Sequence, residues 1–78
     1  MRDHASPIQE AIVLDHLIRI GPITPLEALN HYGIFRLAAR IFRLREAGHD
    51  IYTEIVKNEH TGKRYARYHL IAQAKAAA

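Results

Sequence analysis

The chain has 78 residues, no cysteine, a formal net charge of +3 and 49% hydrophobic residues. That length accommodates one small domain with a modest core, and the lack of cysteine excludes disulfide staples and cysteine-ligated zinc and fits a reducing compartment. The charge is uneven: residues 1–33 set Arg2 and Arg19 against Asp3, Glu10, Asp15 and Glu27, a net of −2, while residues 34–78 set nine Lys and Arg against Glu46, Asp50, Glu54 and Glu59, a net of +5, a division that suggests a basic face.

Residues 1–5 read as a flexible start, with no signal-peptide pattern following them. The first helix begins at Ser6, a good N-cap, with Pro7 at the first helical position and Gln9 three residues after the cap. Ile8, Ile12 and then Leu17 or Ile18 form a wide apolar stripe, and Gly21-Pro22 ends the helix. Its apolar run is interrupted by Asp15, His16 and Arg19 and is too short to cross a bilayer, so the expected location is the cytoplasm, with no membrane contact. Ile23 is placed to form a tiny edge strand. Thr24, Pro25 and Glu27 then repeat the capping pattern for a short second helix, whose Leu26 and Leu29 are expected to face inward and whose end is the turn His31-Tyr32-Gly33.

The third helix is expected from about Ile34 to Ala47, with Gly48 as its stop. At 100° per residue, Ile34, Leu37, Ala38, Ile41 and Leu44 share one side, and Arg36, Arg40 and Arg43 fall within about 60° of one another on another. Arg45 projects from the apolar side and must snorkel, pair or reach the segment that follows. After Gly48 the apolar period changes from helical to two. Ile51, Thr53 and Ile55 alternate with Tyr52, Glu54 and Val56; a polar loop, Asn58–Lys63, follows; Ala66, Tyr68 and Leu70 then alternate with Tyr65, Arg67 and His69. This predicts a hairpin pairing 51 with 70, 53 with 68 and 55 with 66, with Glu54 opposite Arg67. The domain is expected to span residues 6–70, and residues 71–78 to fray. The fold class is mainly α with a small β-hairpin, a winged helix-turn-helix of three helices and a two-stranded wing.

In a helix-turn-helix the second helix of the unit enters the DNA major groove. Arg36 and Arg40, near its start, are then expected to read base edges through their planar forks, and Arg43 to hold phosphate. Phe35 and Ala39 are available to thymine methyls. The alternative is that three arginines simply solvate an exposed face, with Glu46 pairing to Arg43. The wing contributes Lys57, Lys63, Arg64 and Arg67, which suit contact along the backbone or in the neighbouring minor groove, with sequence-independent, salt-sensitive affinity. Tyr65 is placed to hydrogen-bond a phosphate and His60 to touch one when protonated, while Tyr68 belongs to the core. The six histidines, His4, His16, His31, His49, His60 and His69, show no metal-binding spacing, and His16 is expected half exposed beside the apolar stripe. No nucleophile stands with a base at a recognisable spacing, so no enzyme, metal or cofactor is expected.

Three stretches carry a resemblance: Ile23-Thr24-Pro25-Leu26-Glu27-Ala28-Leu29, then Tyr32-Gly33-Ile34-Phe35-Arg36-Leu37-Ala38-Ala39-Arg40-Ile41, and Leu44-Arg45-Glu46-Ala47-Gly48-His49-Asp50-Ile51. With the closing Gly62-Lys63-Arg64-Tyr65-Ala66-Arg67-Tyr68, they resemble a family of small winged helix-turn-helix domains common in bacteriophages and prophages. The resemblance covers residues from about Val13 to Leu70. It implies a double-stranded DNA partner and a small phage or prophage regulator, or an accessory factor in recombination or packaging. One departure stands out: Gly33 stands five positions after Ala28, one more than in the older repressor pattern, so a longer turn is expected before the third helix. The rival class is a winged helix used for protein contact, such as a phage inhibitor of a host protein. A single recognition helix reads only a short site, so a homodimer or head-to-tail oligomer on DNA is expected to use the first helix or the tail.

Overall fold

A computed structural model describes residues 6–74. Along the chain lie α1 (Ser6–Arg19), α2 (Pro25–Tyr32), α3 (Leu37–Glu46), β1 (Asp50–Lys57) and β2 (Arg64–Ala72). The flexible start expected for residues 1–5 and the last four residues of the tail lie outside the described residues, as does the side-chain cap assigned to Ser6. Among the described residues, no helix is long and apolar enough to cross a membrane.

The second helix is capped as its sequence dictates. Thr24 Oγ1 accepts from the Glu27 amide at 3.2 Å, and the Glu27 carboxylate accepts from the Thr24 amide at 3.0 Å. Pro25 takes the first turn, where its missing N–H costs nothing. Gly33 ends the helix in the left-handed region, φ 68°, where a side chain would be strained. Its amide bonds Leu29 O at 2.9 Å, and the next amide, of Ile34, reaches Ala28 O at 3.1 Å. Thr24→Ala should therefore lower the stability of the domain by about 1 kcal/mol, read as a lower midpoint in thermal unfolding. An unchanged midpoint would show that the box contributes nothing here.

The core is built by Val13 and Leu17 of α1, Ile23, Ala28 of α2, Ile34, Leu37, Ile41 and Leu44 around α3, and Ile51 and Tyr68 of the hairpin. Several expectations are corrected at this point. Leu26 is 65% exposed and Leu29 is also exposed, because α2 turns Ala28 and not its leucines to the core. Ile34 is buried from the turn and not from a helix, since α3 begins three residues later, at Leu37. In α1 the buried line is Val13, His16 and Leu17, leaving Ile8, Ile18 and Ile20 exposed on the outer side.

His16, expected half exposed, is buried and fully engaged. Its Nε2 lies 3.2 Å from Pro22 O, an atom that can only accept, so Nε2–H donates. In the neutral ring Nδ1 is then left to accept the Tyr32 hydroxyl, 2.6 Å away. One side chain thereby joins α1, the following loop and the end of α2.

The hairpin has the register read from its alternation, Ile51 against Leu70, Thr53 against Tyr68, Glu54 against Arg67 and Ile55 against Ala66. Ile23 forms a bridge with Tyr68 through paired bonds of 3.0 and 2.9 Å, so β2 is flanked on both edges. β2 runs to Ala72, two residues into the segment expected to fray, and the Ala74 amide donates to His49 Nδ1 at 3.0 Å.

Candidate nucleic-acid interface

The turn from Gly33 to Arg36 and the helix α3 form the second half of a helix-turn-helix unit. With Leu37, Ile41 and Leu44 fixed in the core, the helical period turns Phe42 and Glu46 outward, with Ala38 and Ala39 a turn earlier. Phe42 is 59% exposed and Phe35, in the turn, 83% exposed. Arg36 occupies the N-cap position and is exposed, with no side-chain cap bond. Ala39 is half-buried.

The three arginines expected to share an outward face do not. Arg40 is only 8% exposed and is directed at α1, its Nη1 lying 3.6 Å from Glu10 Oε2. Its Nε and Nη1 have no hydrogen-bond partner among the described residues. This corrects the expectation that Arg40 reads bases: α1 packs against the flank of α3 from which Arg40 projects. Arg43 is exposed but shared between Glu10, at 3.9 Å, and Glu46, at 3.3 Å. Arg45 reaches the hairpin, donating through Nη2 to Ile51 O at 2.6 Å and to Thr53 Oγ1 at 2.8 Å. It is a strut between helix and wing.

That strut fixes which sheet face lies toward α3. Side chains alternate along a strand, so the face bearing Thr53 and Tyr68 also bears Ile55, Lys57, Arg64 and Ala66. Lys57 pairs directly with Arg64, and both are exposed, as is Lys63 in the adjoining loop. Like charges set side by side without a counterion repel, a cost that a polyanion would remove. The loop itself is ordered by Asn58, whose Oδ1 accepts the amides of His60 and Thr61 at 2.8 and 3.1 Å. The Asn58 amide bonds Lys63 O, and His60 stands exposed at the tip.

Tyr65 and Arg67 belong to the opposite sheet face. They line a groove with Asn58 and with Thr24, Pro25, Leu26 and Glu27 at the start of α2. Arg67 Nη1 pairs with Glu54 at 3.5 Å, and His69 Nε2 donates to the same carboxylate at 2.8 Å. The His69 hydrogen bond and the Arg67 charge hold the Glu54 carboxyl below its usual value, against the opposing effect of burial. Arg67 is thus occupied on the face away from α3.

The structure leaves Phe35, Arg36 and Arg43 exposed in and before α3 and Lys57, His60, Lys63 and Arg64 exposed on the wing, sets Tyr65 and Arg67 on the other sheet face, half-buries Ala39 and removes Arg40 from the surface. Sequence reasoning missed Phe42. Its signal was present, since position 42 lies opposite the 37–41–44 stripe on the helical wheel. A family model for a winged helix-turn-helix domain matches residues 8–73. No curated protein matches the chain, and no solved structure does.

Proposed function

The chain belongs to this winged helix-turn-helix family, and from that premise we propose that it binds double-stranded DNA, with α3 in the major groove and the wing on the phosphate backbone. The observation that carries the reading is the Lys57–Arg64 pair, which has no ion-pair partner among the described residues, with Lys63 next to Arg64 in the chain, on the sheet face that Arg45 straps to α3. A basic ribbon next to a protruding helix matches a polyanion whose groove, about 12 Å wide, admits one helix. Family membership supports DNA binding in general. A place as a phage or prophage regulator, or as an accessory factor in recombination or packaging, rests on the sequence resemblance alone. No metal or cofactor enters the proposal.

Salt titration of duplex binding tests it. Lys63→Ala and Arg64→Ala should each reduce the slope of log affinity against log salt by about 1 and weaken preferred and scrambled duplexes alike. Arg36→Ala should cost about 1–3 kcal/mol on the preferred duplex and less on the scrambled one. If the wing variants bind duplex DNA as the unaltered protein does, the basic face serves an acidic protein partner and the DNA reading fails.

A further inference from the structure

The chain contains two phenylalanines, and neither is in the core. Both stand at α3, Phe35 in the turn that leads into it and Phe42 on its outward side. A large apolar side chain on the outward side of the helix that a helix-turn-helix presents to its partner gains burial only when that partner covers it. What they contact is limited by what has been withdrawn from that surface. Guanine is read by an arginine fork that is free to point outward. Arg40 is buried against Glu10, Arg43 lies between Glu10 and Glu46, and Arg45 is bonded to Ile51 O and Thr53 Oγ1. Arg36, at the helix start, is the one arginine of the four with no side-chain partner among the described residues.

The middle of α3 thus offers Phe42 beside Ala38 and Ala39, two short side chains that let the helix backbone come close. Among the four bases, only thymine presents an apolar group, its C5-methyl, in the major groove. The Lys57, Lys63 and Arg64 cluster at the end of the wing, whose Thr53 face Arg45 ties to α3, selects a polyanion as the occupant. Resting on the duplex-binding reading above, the geometry points to thymine as the base that α3 reads: Phe42, supported by Phe35 and Ala38, packs against the methyl groups of an A·T-rich segment, and Phe42 is a specificity-determining residue.

The test uses the full chain. Duplexes selected from a random pool should be enriched in thymine at positions under the helix. Each such thymine is then replaced by deoxyuridine, which deletes the methyl group and leaves the base-pairing edge intact. Affinity should fall about four-fold for each contacted methyl, the value of one buried CH2 group. Phe42→Ala should lose the difference between the thymine and deoxyuridine duplexes at one position. Phe42 is exposed, so its removal leaves the fold intact, which circular dichroism checks. A selected site without thymine, equal affinity for the two duplexes, or a difference that survives Phe42→Ala overturns the inference. If duplex binding persists with its normal salt slope in any of these results, only the thymine assignment falls. If no duplex binds, the DNA reading falls with it.

Discussion

Ile41→Ala is expected to lower the stability of the domain by about 2–5 kcal/mol. Ile41 is almost completely buried on α3, between Leu37 and Leu44 on the same side and under the packing of α1. Truncation removes its transfer free energy and leaves a cavity, because helices held by a capping box on one side and by the Arg45 strut on the other cannot readily close over it. In a domain of this size each 1 kcal/mol moves the thermal midpoint by about 4–8 °C, so the expected fall is large enough to leave the variant partly unfolded at ambient temperature. Phe42→Ala, one residue along the same helix, is the control: an exposed side chain lost from the same helix should change stability by about 0.5 kcal/mol or less. Urea unfolding of the pair separates burial from helix propensity, since the new residue is alanine in both. A difference between the two variants within experimental error would refute the packing described for α3.

The second large effect concerns Glu10. Its carboxylate is the partner of the Arg40 guanidinium, which has been taken out of water. Glu10→Ala leaves that charge buried without a counterion, and a loss of about 3 kcal/mol is expected, the low end for a broken buried pair because Glu10 itself still meets solvent. Arg40→Met removes the charge along with the need for a partner and keeps most of the side-chain volume. It should lie within about 1 kcal/mol of the unaltered protein. The order of the two variants is the informative result: the smaller chemical change is the more damaging one. Arg40→Met should also bind duplex DNA with unchanged affinity, whereas a base-reading Arg40 would lose about 1–3 kcal/mol. Chemical unfolding and one binding isotherm decide both points. A destabilisation greater for Arg40→Met than for Glu10→Ala would mean that the guanidinium is held by packing, with the ion pair incidental.

Arg40 also shows where sequence reasoning stops. The helical wheel sets position 40 apart from Leu37, Ile41 and Leu44, but it does not say how wide the buried sector is, and the buried sector of α3 includes Arg40. Its width depends on where α1 crosses, and α1 lies over the flank that carries Arg40 and brings Glu10 with it. The same ignorance of the neighbour misplaced Leu26 and Leu29. On an eight-residue helix the wheel allows either an Ala28–Tyr32 line or a Leu26–Leu29 line to face inward, and hydrophobicity alone favours the leucines. The hairpin was legible to the residue because a one-position slip would have turned every apolar side chain to the wrong face. The capping box was legible because its partners are three residues apart and need nothing from the rest of the fold. Local chemistry and strict alternation can be read directly from the chain, whereas an assignment to a face that depends on a distant helix cannot.

The bridge between Ile23 and Tyr68 has a consequence for how the domain opens. A two-stranded hairpin alone is marginal in water, and this one gains a one-residue bridge from Ile23, in the connection between α1 and α2. Forming that contact requires closure of a long loop, which places it late in folding and makes its loss costly to local fluctuations. The base of the wing is tied to the helices by that bridge and by Arg45, while the end of the wing beyond Ile55 and Ala66 is held by its own ladder and the Asn58 loop and meets the helices at the groove that Tyr65 and Asn58 share with the start of α2. If Lys57, Lys63 and Arg64 contact a phosphate backbone as proposed, they do so from the part of the wing with the fewest ties to the helices.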